Sequence, residues 1–314
     1  MRTRILGIFV AAALLLVLAN RSAWAQQTQN GVPVQMIVSV EAKHGAKIPA
    51  ITQHDIIVHQ GHNVRQVTGW APTTGENAGL ALAILIDDSA GLSFGSQLND
   101  IRNFIQEQAP RTLVFVGYMQ NGTVFTTQNF TQDHAAAAHS VRLAQGFAAA
   151  EASPYVSLSD MIKRWPTNPA VQRREVLMIT SGIDSLYMGT IPDPYVDAAV
   201  QDAQCAGVVV YSIYTPSAGH MGHSRFLTYW GQNFLSELSE ETGGESYYLI
   251  GPQAPVSFAP YLRQFNQQLS NQFLLTFLAE PQKKAGRQPV KVTSEIHSVD
   301  FVHANQVCVP AAAE

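Results

Sequence analysis

An unbroken apolar run at 80–86, within LALAILIDDSAGLS, stops at two aspartates, a serine and then Gly91. Asp87 and Ser89, with Gly91 just behind them, set a carboxylate and a hydroxyl two residues apart, hard oxygens of the kind that hold a divalent cation. The same carboxylate and hydroxyl, joined by a histidine such as His220, would supply the parts of a serine hydrolase. Two His-x-x-His pairs, His59 with His62 and His220 with His223, offer nitrogen ligands. Each lies in a glycine-containing loop, lacks the helical His-Glu-x-x-His context of a zinc protease, and reads as solvated. The sequence holds no phosphate loop and no G-x-G-x-x-G after its first central strand.

The residues behind this chemistry need a scaffold to place them. An apolar run with turn chemistry directly behind it is the signature of a parallel strand buried on both faces, and α/β sheets bind ligands at the carboxyl ends of such strands. Downstream, the hydrophobic period switches between 3.6 and 2. Helices are expected at 95–109, 132–147, 157–165, 193–206, 226–242 and 256–271. Strands are expected at 112–119, 175–180, 207–214 and 245–250, with 123–130 returning as a hairpin over Asn121-Gly122. That alternation predicts a doubly wound, mainly parallel sheet flanked by helices over 80–271. Residues 72–79 read as a linker, and 32–70 as short antiparallel strands. The runs 272–279, 288–296 and 299–309 are β again. With no other sheet to join, the two terminal segments, 26–71 and 272–314, are expected to pack as a small antiparallel β-sandwich around the inserted domain.

The 314 residues are 46% hydrophobic, which suffices for a core, and the net charge of −4 has no cluster of either sign. Neither nucleic acid nor an anionic membrane surface is an expected partner. Arg2 and Arg4, an apolar run at 5–19 and Ala23-Trp24-Ala25 read as a Sec signal peptide over 1–25, cleaved after Ala25, so the mature chain is expected in the periplasm or outside the cell with no membrane span. Two cysteines make no framework, and Cys205, just before a buried strand, reads as a packed thiol rather than as a partner for Cys308.

Together these stretches carry a resemblance. VPVQMIVSV, LALAILIDDSAG, EVLMITSGIDS, GVVVYSIYTP, YWGQNFLSELSEETGGESYY and APVSFAPYLRQFNQQLSNQFLLTF make the chain resemble the exported von Willebrand factor A-related proteins of the acidobacterial type, over nearly the whole mature length. The resemblance implies an A-domain fold, a binding or adhesion role and no catalysis. Its cation site draws on three loops, and this chain departs from it in each. Gly91 replaces a serine; the second loop, near Tyr155-Val156-Ser157, has valine at the threonine position unless Ser157 serves. The third reads Thr180-Ser181-Gly182, with Ser181 where an aspartate belongs. Magnesium depends on one or two carboxylates, so Asp87 with Ser89 is expected to hold Mg2+ or Mn2+ weakly or not at all, a degenerate site that Asp88 or Asp184 would have to rebuild. Ser89 as a helix cap and Asp87 as an acceptor for loop N–H groups account for the same residues without an ion.

The expected function is therefore a protein-binding or adhesion module facing a protein or cell-envelope ligand. Its contact residues are expected among Gly91, Ser181, Asp184, Tyr187, Met188, His220 and His223, on loops at 87–93, 155–157, 181–186 and 216–225. An envelope scaffold and a serine hydrolase are the alternatives.

Overall fold

Alternation of apolar and polar residues from Val32 onward sets the first strands. In the computed structural model these are β1 (Val32–Ala42), β2 (Ile56–Gln60), β3 (Asn63–Arg65) and β4 (Val67–Pro72). The structure describes residues 31–43, 47–145, 153–166, 171, 173–187, 192–218, 223–251 and 253–312, with the side chains of Leu92 and Ser93 set aside. The expected leader and its cleavage site, Met188 and His220 lie outside the described residues.

The apolar run forms β5 (Leu80–Asp87), every residue of which is buried. Each large side chain buried this way contributes about 1.5–3 kcal/mol. After it come α1 (Leu98–Gln106), β6 (Thr112–Gln120), β7 (Thr123–Thr131), α2 (His134–His139), α3 (Pro154–Lys163), β8 (Arg173–Thr180), α4 (Pro194–Ala206), β9 (Val208–Tyr214), α5 (Arg225–Thr242), β10 (Ser246–Tyr247) and α6 (Ala259–Ser270). The central sheet has the order β10-β9-β8-β5-β6-β7, parallel throughout except for β7. That strand returns antiparallel over Asn121 and Gly122, whose φ angles of 47° and 73° are those of the tight turn that Asn-Gly favours.

Helices cover both faces of this sheet. Leu82, Ile84 and Ile86 of β5 pack with Ile101, Phe104 and Ile105 of α1 and Leu262 and Phe265 of α6. Ala81, Ala83 and Leu85 face the opposite way, toward Leu158 of α3, Val200 of α4 and Leu235 of α5. Successive β5 side chains thus enter different cores, as the two-residue period of a strand dictates.

Four strands complete the chain: β11 (Gln272–Ala279), β12 (Gly286–Ser294), β13 (Val299–His303) and β14 (Gln306–Val309). They combine with the first four into two four-stranded antiparallel sheets, β13-β1-β11-β4 and β14-β12-β2-β3. Val38 and Phe277 from one sheet share a core with Val58, Val292 and Val309 from the other.

Four local expectations are corrected by tertiary partners. Residues 299–309, read as one strand, are two strands in different sheets. The break falls at Asn305, whose carbonyl accepts from Val290 N–H (2.8 Å) and whose side-chain oxygen accepts from Gln204 Nε2 (2.8 Å). The alanine-rich helix read over 132–147 stops at His139. At Arg142 the Tyr118 hydroxyl accepts the backbone N–H (2.7 Å) and donates to the carbonyl (2.6 Å), meeting the needs a helix would otherwise serve. The strand read over 245–250 shrinks to two residues, because Gln232 Nε2 gathers the carbonyls of Leu249 and Gly251. Finally, Cys205 and Cys308 are bonded, their Cα atoms 4.7 Å apart. Sequence places Cys205 at a helix end, but only the docking of β14 beside α4 brings its partner there.

Candidate functional site

The chain leaves β5 in one direction toward β6 and later fills the other side with β8, so the sheet order reverses between β5 and β8. Ligand crevices of open α/β sheets lie at such a point, outside the carboxyl ends of the strands. Asp87 ends β5 and Thr180 ends β8.

Asp87 is nearly closed off from water, and hydroxyls occupy both its oxygens. Ser89 donates to Oδ1 from its backbone N–H (2.9 Å) and from Oγ (2.6 Å), and Thr180 Oγ1 donates to Oδ2 (2.8 Å). This aspartate, then, closes a turn within its own loop and bolts the ends of β5 and β8 together. Thr180 is the partner that sequence reasoning misses, because in sequence it only precedes Ser181 and nothing local ties it to Asp87.

The next loop is tied in the same way. Ser217 Oγ donates to Ser181 Oγ (2.7 Å), Ala218 N–H donates to the Ser89 carbonyl (2.8 Å), Gly91 N–H to the Pro216 carbonyl (3.0 Å) and Thr215 N–H to the Thr180 carbonyl (3.0 Å). The strand-end loops of β5, β8 and β9 thus form one hydrogen-bonded plate. Ser181 and Ser217 are buried in it. Helix α5 presses on the plate from behind. A Cβ on Gly231 would overlap the Ser181 carbonyl oxygen, and one on Gly182, whose φ is +68°, would overlap the Gly231 carbonyl. Glycine at both positions is what lets the two backbones touch.

Three other expected site residues have separate partners. Asp184 Oδ2 accepts from Ser153 Oγ (2.6 Å), while Oδ1 accepts the backbone N–H groups of Leu186 (2.8 Å) and Tyr187 (3.2 Å). Burial pushes its carboxyl above the ordinary range, against those hydrogen bonds, which pull it down. Residues 155–157, expected as a loop, are instead the first turn of α3, capped by Ser153. Ser157 Oγ donates back to the Ser153 carbonyl (2.9 Å), a bond within the helix turn. A serine followed by proline at the first helical position is a helix-start signal in the sequence, and it would have found Ser153.

Asp88 points away from Asp87, toward the opposite face of the sheet. Both its oxygens meet the Arg142 guanidinium (2.8 and 3.1 Å), and it also accepts from Gln145 N–H (2.7 Å) and Gln120 Nε2. Burial pushes this carboxyl up, but the bonds from Arg142, Gln145 and Gln120 outweigh it and hold the group below its ordinary value. Arg142 also lies over the Tyr118 ring, 3.8 Å from its centre. Asp88 is therefore spent on a loop anchor and does not join the oxygens around Asp87.

Of the remaining expected contacts, Leu186 is exposed, Tyr187 is half-buried and His223 is exposed just ahead of α5. His59 lies on β2 and His62 in the turn that follows, in the terminal sheets rather than in the strand-end loops. Among the described residues no three His, Cys, Asp or Glu side chains converge as a metal centre requires. The oxygens assembled at the β5–β8 crevice are one carboxylate and the hydroxyls of Ser89, Thr180, Ser181 and Ser217. With serine at 181 that set does not fit a tightly held divalent cation, which draws its affinity from carboxylates.

No family model matches the sequence, and no curated protein matches it. Solved structures with a related arrangement include an aerotolerance-related membrane protein from Bacteroides fragilis, at 14% identity and a TM-score of 0.42, covering 61% of this chain and 98% of that one. Another is the SpRpn10 VWA domain, at 12% identity and a TM-score of 0.37, covering 59% and 94%. The SpaC pilus adhesin from Lactobacillus rhamnosus GG, at 8% identity and a TM-score of 0.43, overlaps 83% of this chain, which spans about half (48%) of the adhesin. Overlaps this loose say nothing of ligand or activity, and the architecture rests on this chain's own strand order. Among the described residues no helix is long and apolar enough to cross a membrane.

Proposed function

We propose that the chain is an exported binding module of von Willebrand A type. Its strand-end face engages a protein or cell-envelope ligand by direct contact, with the cation site reduced to a hydrogen-bonded remnant. On this reading the terminal sheets form a small antiparallel sandwich that carries the A-type unit. One observation carries the proposal: Asp87 spends both oxygens on Ser89 and Thr180 at the sheet's switch point, and the neighbouring loop offers Ser181 in place of a second carboxylate. A loop system tied by its own hydroxyls is rigid without an ion, and a rigid face costs little entropy to dock. Asp184 adds to this by fixing the backbone of Leu186 and Tyr187, which puts an apolar and an aromatic side chain at the rim. Aromatic anchors of this kind carry a disproportionate share of interface energy.

No catalysis is proposed. The Ser89 hydroxyl donates to Asp87 directly, and among the described residues no imidazole is bonded to it to take the proton during nucleophilic attack.

A photo-crosslinking residue at Tyr187, compared with one at exposed Val64 on β3, tests the role of the face in cells. Crosslinks confined to position 187 and unchanged by chelator support a metal-independent binding face. Crosslinks that vanish with chelator would reinstate the cation. Crosslinks from Val64 alone would transfer the role to the terminal sheets, as a scaffold requires.

A further inference from the structure

A second surface lies at the other end of the molecule, where β8 and β9 begin. Strand β13 covers β1 only from Val38 to Ala42. From Val32 to Ile37, β1 has β11 on one side and, among the described residues, no strand on the other. Two hydrogen bonds fix which main-chain groups face that open side. Val40 N–H donates to Asn271 on the β11 side (3.0 Å), and Lys43 N–H donates to Ser298 on the β13 side (2.9 Å). Main-chain groups alternate along an antiparallel strand, so even-numbered residues turn toward β11 and odd-numbered ones away from it. The N–H and C=O of Gln35 and Ile37 therefore face the open edge.

The edge borders a cavity of about 450 Å³ lined by Gln35, Met36 and Ile37, by Arg174 at the start of β8, and by Ala206 and Gly207 at the end of α4. Arg174 is the charged side chain in that lining, and among the described residues it has no ion pair. The opposite wall is a helix C-terminus, which carries partial negative charge. A free anion would be attracted at one wall and repelled at the other. An extended peptide matches both walls, because its N–H and C=O groups alternate and its one carboxylate can sit at the arginine end.

We propose that this edge accepts an added β-strand: an extended peptide of a partner, paired with Gln35 and Ile37 and placing a carboxylate against Arg174. Strand addition draws affinity from main-chain bonds and specificity from such side-chain pockets. A second copy of this chain fits less well, since the β1 edge itself offers Pro33, Gln35 and Ile37 and no carboxylate to meet Arg174.

The test uses the mature chain and a fluorescent synthetic peptide of alternating valine and threonine ending in glutamate, read by polarisation and by amide hydrogen exchange. In the free chain the Gln35 and Ile37 amides are expected to exchange fast, and the peptide to slow them. Methylating alternate peptide amides, or substituting Gln35→Pro, which removes an edge donor and leaves the β11 ladder intact, should weaken binding more than tenfold. Arg174→Gln should weaken it about tenfold, the size of one modest charge-assisted contact. Asp87→Ala should leave it unchanged, which separates this site from the strand-end face. Protection of both amides in the free chain, binding indifferent to peptide methylation, absence of binding, or self-association through the edge in sedimentation would each overturn the proposal.

Discussion

Thr180 donates its hydroxyl to the Oδ2 of Asp87 at 2.8 Å, and this single bond joins the carboxyl ends of β5 and β8 where the sheet order reverses. The bond lies where a ligand or an ion is expected in folds of this class. Here the strands supply the acceptor and the donor themselves.

Restoring a carboxylate at the neighbouring loop should restore ion dependence. Ser181→Asp places a second acid in a buried plate beside Asp87, where Ser181 Oγ now accepts from Ser217 Oγ and from Ile183 N–H. Without divalent ions the variant is expected to lose about 2–3 kcal/mol, the penalty for an unpaired buried polar group. Magnesium or manganese should return that loss. Urea unfolding with ion and with chelator measures both, and a variant indifferent to the ion would contradict the placement of Ser181 at the crevice.

The contact of α5 with the plate rests on the absence of a methyl group. Gly231→Ala drives a Cβ into the Ser181 carbonyl. A loss of about 3 kcal/mol is expected, at the upper end of overpacking costs, together with faster exchange of the Gly182 and Ile183 amides. A neutral substitution would mean that the helix can shift without disturbing the loop.

The buried carboxyl of Glu175 sets a pH dependence. It lies in β8, fully buried, beside Arg173 and Gln272. Burial pushes it up to about 7 from an ordinary 4.5, although the charge of Arg173 pulls it down. A carboxyl that holds its proton more tightly folded than unfolded stabilises the fold fully below its unfolded pKa, and the contribution is lost as pH rises through the folded value. The chain is therefore expected to lose on the order of 3 kcal/mol between about pH 4.5 and pH 7 from this group. Glu175→Gln should flatten that slope, so unfolding at about pH 5 and about pH 8 checks it against the parent. An unchanged slope would place the titration elsewhere.

The disulfide closes a loop of 103 residues between α4 and β14. Its removal by Cys205→Ser with Cys308→Ser is expected to cost about 2–4 kcal/mol, by freeing the unfolded chain. Calorimetry of the oxidised parent against the double variant reads this directly, and equal melting temperatures would refute it.

How far the sequence speaks depends on whether the deciding partner is local. The run at 80–86 could only be a strand buried on both sides, and Asn121-Gly122 could only be a tight turn, so both were legible. The doubly wound sheet follows from that alternation. The break at Asn305 was not legible, because the β pattern continues unchanged through it and Gln204, which holds it, lies a hundred positions away. The end of the alanine-rich helix at His139 depends on Tyr118, and the Cys205–Cys308 bond on the docking of β14; neither leaves a local trace. At the site, the sequence singles out Asp87 and Ser89 by their spacing and Ser181 through the resemblance, and the structure sets all three in neighbouring strand-end loops. Thr180 as the partner of Asp87, Ser153 as the partner of Asp184 and Arg142 as the partner of Asp88 emerge only once strands and loops are assembled. Gly231 was the missed clue, since a lone glycine inside a helical pattern marks a close approach.

The central claim is that the strand-end face stands without a cation, and thermal unfolding of the parent chain and of Asp87→Ala, each with magnesium, manganese or calcium and with chelator, tests it most directly. The account predicts one melting temperature for the parent in all of these solutions, and a lower one, equally indifferent to ions, for Asp87→Ala. A cation bound at a hundred times its dissociation constant adds about 2.7 kcal/mol. A melting shift of that origin in the parent and not in the variant would contradict the account and return the ion to Asp87.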